Sequence, residues 1–118
     1  MAKILVVDDA AADRMQLERL VAEAGHIAVG ASSAEEATAK ARSEMPALIF
    51  MDVNMPGTDG FTAARQLSAD AKTKHIPIVF VTAKNQKADR VFAQILGARS
   101  FISKPYTAEQ IKEQLSKV

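Results

Sequence analysis

A chain of 118 residues, 48% of them hydrophobic and 25% charged, is long enough to bury one core and too short for two of ordinary size, so residues 1–118 are expected to form one domain. Fifteen basic against fourteen acidic residues argue for no nucleic acid as partner, and the absence of cysteine excludes disulfides, thiolate nucleophiles and cysteine zinc sites. No apolar run approaches the roughly 20 residues of a membrane span or has the form of a signal sequence, so no membrane insertion and a cytoplasmic location are expected.

The first strand is expected at residues 3 to 8, where Ile4-Leu5-Val6-Val7 runs without alternation into Asp8-Asp9, the pattern of a strand buried on both faces. A helix follows from Ala11 to Ala24, with Leu17, Leu20, Val21 and Ala24 on one face and Gly25 ending it. His26 to Ala31 is short and partly alternating, a second strand nearer an edge. Ser33-Ala34-Glu35-Glu36 opens the second helix as a capping box, the Ser33 hydroxyl and the Glu36 carboxylate each satisfying a free amide. That helix stops before Pro46.

The apolar run Ala47 to Met51 then halts on Asp52, and Pro56-Gly57 and Asp59-Gly60 break the chain into a loop. Asp59 caps a third helix whose inward face carries Phe61, Ala64 and Leu67, fading between Asp70 and His75. Ile76 to Val81 is a fourth strand with Pro77 at its start, where a missing amide does least harm, and Thr82 stands at its carboxyl end. Ala88, Val91, Phe92 and Ile95 mark a fourth helix ended by Gly97, with Lys84, Lys87, Arg90 and Gln94 as a solvated basic outer face. Arg99 to Ser103 gives a short fifth strand running into Lys104-Pro105. Thr107 to Gln110 is a second capping box, and the last helix buries Ile111, Leu115 and Val118.

Five alternations of strand and helix define an α/β class with a five-stranded parallel sheet, doubly wound. The strand order 2-1-3-4-5 is adopted by analogy with flavodoxin-like proteins, and it brings the carboxyl ends carrying Asp8, Asp9, Asp52, Thr82 and Lys104 to one place. Asp52 is expected to be presented at the rim and not buried. Like charges gathered at about 4 Å in an effective dielectric near 20 cost on the order of 4 kcal/mol per pair, which forces protonation or a bound cation. Carboxylates with a backbone carbonyl and waters suit Mg²⁺. Such a site fits phosphoryl transfer onto Asp52 as nucleophile, the incoming oxygens shared by the metal, the Lys104 ammonium, the Thr82 hydroxyl and the Ala83 amide.

Taken singly, each residue has a bland reading. Asp8-Asp9 serve as helix caps or a solvated turn, Thr82 as a turn residue, Lys104 as a surface lysine and Pro105 as a helix starter. His26 and His75 fall away from the acidic rim, and Tyr106 is expected to pack beneath the last helix. The joint placement at four strand ends favours a site.

In Val6-Val7-Asp8-Asp9, Met51 to Gly60, Val81-Thr82-Ala83, Gly97-Ala98 and Lys104-Pro105 the chain resembles, over its whole length, the CheY-like response-regulator receiver domains of two-component systems. The resemblance implies Asp52 as phosphoacceptor; Asp9, Asp52 and the Asn54 backbone carbonyl as Mg²⁺ ligands, with Asp8 acting through a metal-bound water; Lys104 pairing with the phosphoryl group; and a cis Lys104-Pro105 peptide. It also implies Thr82 and Phe101 as switch residues, Phe101 standing where many members carry Tyr, and Asn54 and Lys84 as flanking positions that tune the phosphate's lifetime. The partners implied are a histidine kinase as phosphodonor and a downstream protein reached through the surface of the fourth helix, fifth strand and fifth helix, by a monomer or weak dimer. No enzyme activity beyond self-phosphorylation and autodephosphorylation is expected. The segments from Gln66 to Pro77 and Thr82 to Lys87 are similar to single-domain regulators of chemotaxis-like systems controlling type IV pili.

Rival readings remain: a phosphorylation-silent interaction scaffold, or a phosphate shuttle or sink in a multi-step relay. A phosphatase of the haloacid-dehalogenase type wants a general acid two residues after its nucleophile, where this chain has Asn54. A flavin carrier wants a phosphate-cradling loop after the first strand, where Asp8-Asp9 would repel phosphate.

Overall fold

The computed structural model describes residues 1–118. Strands β1 (Lys3–Val7), β2 (Ile27–Ala31), β3 (Leu48–Met51), β4 (Ile78–Thr82) and β5 (Ser100–Ser103) alternate with helices α1 (Ala11–Glu23), α2 (Ala34–Glu44), α3 (Gly60–Ala69), α4 (Lys87–Ile95) and α5 (Ala108–Leu115). All pairings are parallel, in the order β2-β1-β3-β4-β5. The α/β class and the strand order expected from the sequence are those found.

Why the central strands lack alternation is visible in the packing. Within β1, Leu5 and Val7 join a core shared with α2, α3 and α4, while Ile4 and Val6 join the core under α1 and α5. β3 and β4 divide in the same way, Ile49, Met51, Ile78 and Phe80 to one side and Leu48, Phe50, Val79 and Val81 to the other. A side chain of this size fully withdrawn from water contributes about 1.5–3 kcal/mol, and these short strands supply buried side chains to both cores. β2 and β5 form the edges and are only partly buried.

The local signals act largely as expected. Gly25 and Gly97 have positive φ, +88° and +82°, the left-handed geometry that stops α1 and α4. Ser33 accepts the Glu36 amide, although the Glu36 carboxylate closes on the amide of Ser32, one residue earlier than a standard capping box. Asp59 accepts the Thr62 amide at 2.8 Å, and Thr107 and Gln110 make the reciprocal box of α5.

Several expectations need correction. β4 begins at Ile78, because Pro77 lacks a ladder amide and contributes only its carbonyl, to Ile49. Ala24, the C-cap of α1, and Val118, beyond the end of α5, are exposed. The largest difference is in α4: Val91 and Ile95 are 45% and 73% exposed, Ala88 is exposed as well, and the helix packs inward through Phe92, Ala93 and the following Leu96.

Candidate functional site

The carboxyl ends of β1, β3, β4 and β5 carry the chemistry. The ladder continues one residue past the regular strands, with the Asp8 amide donating to Ala31 and the Asp52 amide to Val7, both at 3.0 Å. This fixes the two aspartates beside one another. Carboxylate oxygens of Asp8, Asp9 and Asp52 lie within 4.8 Å of one another. Asp52 also accepts the Asn54 amide at 3.1 Å, and Asp8 the Ala10 amide at 3.0 Å.

Asp52 is 7% exposed and Asp8 5%, against the expectation that Asp52 is presented to solvent. β3 is the middle strand, flanked by β1 and β4, and the Lys104 ammonium covers the Asp52 carboxylate with a bond of 3.1 Å. Asp9 is the exposed member. Gly60 makes the close approach possible: its amide donates to Val53 at 2.9 Å, and a Cβ there would meet the Asp52 carbonyl oxygen at 2.0 Å.

Lys104 ties the acids together. Its ammonium donates to Asp8 at 2.7 Å, to Asp13 at 2.9 Å and to Asp52 at 3.1 Å. Burial works against this charge, but the bonds to Asp8 and Asp13 and the Asp52 charge outweigh it and hold the Lys104 pKa above the ordinary lysine range. Burial likewise pushes the Asp8 carboxyl upward; bonds from Lys104 and the Ala10 amide oppose it, while the Asp52 charge adds to it. The Lys104-Pro105 peptide is cis. Tyr106 packs against the core under α1 and α5, and burial raises its phenol pKa despite the Lys104 charge nearby.

Thr82 is fully buried at the end of β4. Its hydroxyl accepts the Lys84 amide at 3.2 Å and its carbonyl accepts the Lys104 amide at 2.9 Å. Ala83 is exposed in the following loop. Phe101 is half-buried, with its ring 6.4 Å from that of Phe80. His75 is exposed, and His26 accepts the Ala2 amide at 3.1 Å, so neither histidine joins the site.

Two residues escape the sequence reading. Asp13, in the first turn of α1, reaches Lys104; its place in an acidic first turn gives it the look of an ordinary helix-start charge. Arg90, expected to be a solvated surface residue, stacks on Phe101 and bonds Asn85 and Ser103. Its long fork has more reach than its surface position suggests.

The donor set tests well for a hard divalent cation. Its members are oxygen only, few, and negatively charged beyond what one lysine neutralises, as Mg²⁺ coordination requires.

An acidic pocket at the carboxyl edge of a doubly wound parallel sheet, with a lysine from the last strand reaching into it, defines a class, and comparison with known proteins gives that class its family. The family described as response regulator receiver domain matches residues 4–116, and the chain belongs to it. The chain is 38% identical to Protein PilH of Pseudomonas aeruginosa over 118 residues, covering 98% of that protein. It is 43% identical over 105 residues to Response regulator PleD of Caulobacter vibrioides, of which it covers 23%. Among solved structures, Vibrio cholerae chemotaxis protein CheY4 superposes with a TM-score of 0.92 at 30% identity, covering all of this chain and 98% of that one. The protein is thus a CheY-like receiver of the two-component type and a homologue of PilH. No helix is long and apolar enough to cross a membrane.

Proposed function

We propose that residues 1–118 form one receiver domain that accepts a phosphoryl group from the phosphohistidine of a histidine kinase onto Asp52, in a Mg²⁺-dependent reaction in the cytoplasm. The reading is carried by one observation: Asp52, at the end of the middle strand, shares an oxygen-only cluster with Asp8 and Asp9 and also bonds the Lys104 ammonium.

In this reading Asp8, Asp9, Asp52 and the Asn54 carbonyl hold the ion, which supplies charge neutralisation for the donor phosphate. An Asp52 carboxylate oxygen forms the new bond to phosphorus as the donor's nitrogen–phosphorus bond breaks. The departing imidazole keeps that electron pair and takes up a proton. Lys104, the Thr82 hydroxyl and the Ala83 amide receive the phosphoryl oxygens, so catalysis consists of positioning and electrostatics. Thr82 is drawn toward the new oxygens and Phe101 settles inward, shifting the population of the α4-β5-α5 surface toward a form that controls a protein partner. Asn54 and Lys84 flank the path of hydrolytic water and set the phosphate's lifetime. The likeness to PilH supports an output in chemotaxis-like control of type IV pili.

Incubation with Mg²⁺ and a small phosphodonor, followed by intact mass, tests the reading. One added phosphoryl group is expected on the parent and none on Asp52→Asn. Absence of the adduct from the parent as well would leave an interaction scaffold; an adduct on both would put the acceptor elsewhere.

A further inference from the structure

The three partners of Lys104 are not equivalent. An ammonium has three N–H donors, and Asp8, Asp13 and Asp52 occupy all three. Asp8 and Asp52 also belong to the acidic cluster with Asp9, while Asp13 does not. A divalent cation in that cluster competes with Lys104 for the oxygens of Asp8 and Asp52. The bond to Asp13 involves no oxygen of that cluster. Asp13 accepts no backbone amide, its one hydrogen bond being to Lys104, so it does not cap α1. Beside it lies a hollow of about 320 Å³ lined by Asp13, Gln16, Lys104, Pro105 and Tyr106, open space into which a flexible, unanchored lysine would swing.

We infer that Asp13 is a positioning residue for phosphoryl transfer: an anionic tether on α1, outside the metal cluster, that keeps the Lys104 ammonium over Asp52 once the other two carboxylates are engaged by the cation. The inference rests on the reading of Asp52 as the acceptor. The blander role, a negative charge complementing the positive end of α1, contributes to stability and does not require a bond to Lys104.

The experiment uses the whole chain and Asp13→Asn, Asp13→Ala and Asp13→Glu, with saturating Mg²⁺. The first readout is the ¹H–¹⁵N signal of the lysine ammonium groups, with Lys104 assigned by its loss in Lys104→Arg. A persistent Lys104 signal is expected in the parent, broadened or lost in Asp13→Asn and Asp13→Ala, and recovered in Asp13→Glu. The second is phosphoryl loading from a small acyl phosphate. The maximal rate should fall by about threefold to tenfold in the Asn and Ala variants, the loss expected from one half-exposed charge-assisted bond, with half-saturating donor unchanged and Glu near the parent.

An unchanged Lys104 signal in Asp13→Asn overturns the tether, whether or not melting temperature falls. Faster loading in Asp13→Asn, fading with added salt, also overturns it by making Asp13 a repulsive charge. If the signal depends on Asp13 but no form takes up phosphoryl, the tether stands and the acceptor reading fails.

Discussion

The Arg90 guanidinium carbon lies 4.9 Å from the centre of the Phe101 ring, and the same side chain donates to Ser103 Oγ at 2.6 Å and to Asn85 Oδ1 at 2.8 Å. One arginine therefore fastens the loop before α4, the helix itself and β5. Phe101 has Arg90 against its outer face and Phe80 beneath it. In the proposed switch, Phe101 changes its packing when Thr82 moves, so the stacked guanidinium stabilises one arrangement over the other. A difference of this kind is what a two-state device requires.

Arg90→Gln removes the stacking and keeps a polar side chain. A cation and ring at an exposed site contribute about 0.5–1 kcal/mol, so stability should fall by about that much in urea titration. Amide hydrogen exchange in residues 83–90 should accelerate without phosphorylation. Unchanged exchange there would mean that Arg90 rests on the ring without restraining the loop.

Thr82→Ala is expected to take up phosphoryl at Asp52 and to lose the change in exchange at α4 and β5 that follows. The hydroxyl is buried and its one hydrogen bond accepts the Lys84 amide at 3.2 Å, so it is free to donate elsewhere. Parent-like exchange changes in phosphorylated Thr82→Ala would eliminate this relay.

Gly60→Ala addresses the support beneath Asp52. The added Cβ meets the Asp52 carbonyl oxygen at 2.0 Å and the Val53 Cα at 2.9 Å. These are backbone atoms, so relief requires moving the acceptor strand's end. Overpacking costs typically about 1–3 kcal/mol, and a loss at the upper end is expected in urea titration, with slower phosphoryl loading in the fraction still folded. A variant as stable and active as the parent would mean that the loop yields easily.

What the sequence revealed and what it hid have separate physical causes. Strand ends were legible because β1, β3 and β4 are apolar runs cut short by a polar residue, and parallel pairing places such ends together. Depth was less legible: Asp52 reads as a rim residue, yet it is buried and bonded by Lys104, distant in sequence and close in space. Asp13 was hidden for the same reason, since its partner lies 91 positions away. In α4, two apolar stripes compete, Ala88-Val91-Ile95 and Phe92-Ala93-Leu96, and helical periodicity does not rank them. The Glu36 carboxylate reached past Ser33 to Ser32 because spacing alone does not fix which free amide a flexible side chain selects.

The capping contact at α2 has a pH signature. Hydrogen bonding to the Ser32 amide, then to Lys40, lowers the Glu36 pKa from its ordinary value against a small opposing effect of burial. A depressed carboxylate stabilises the fold above its unfolded pKa and loses that contribution as pH falls through the folded value. Gln keeps an oxygen for the Ser32 amide and removes only the charge of a partly exposed group, so Glu36→Gln should be less stable than the parent at neutral pH by no more than roughly a few tenths of a kcal/mol. The gap should close as pH falls below the ordinary glutamate value of about 4.3 and through the lower folded one. A gap independent of pH would assign the effect to the length and shape of the side chain and not to its charge.

The rotation of α4 has the plainest test. Ile95 is 73% exposed, whereas Phe92 packs edge-on against Phe61 with ring centres 4.9 Å apart. If the helix sits as described, Ile95→Ala changes unfolding free energy by less than about 0.5 kcal/mol, while Phe92→Ala costs about 3 kcal/mol or more through lost packing and the cavity left behind. The sequence-based orientation, with Ile95 among the inward residues, predicts a substantial loss for Ile95→Ala too. Comparable losses for the two variants in urea titration would therefore restore that orientation, and would also turn the exposed Val91 and Ile95 side chains away from any partner docking on this face.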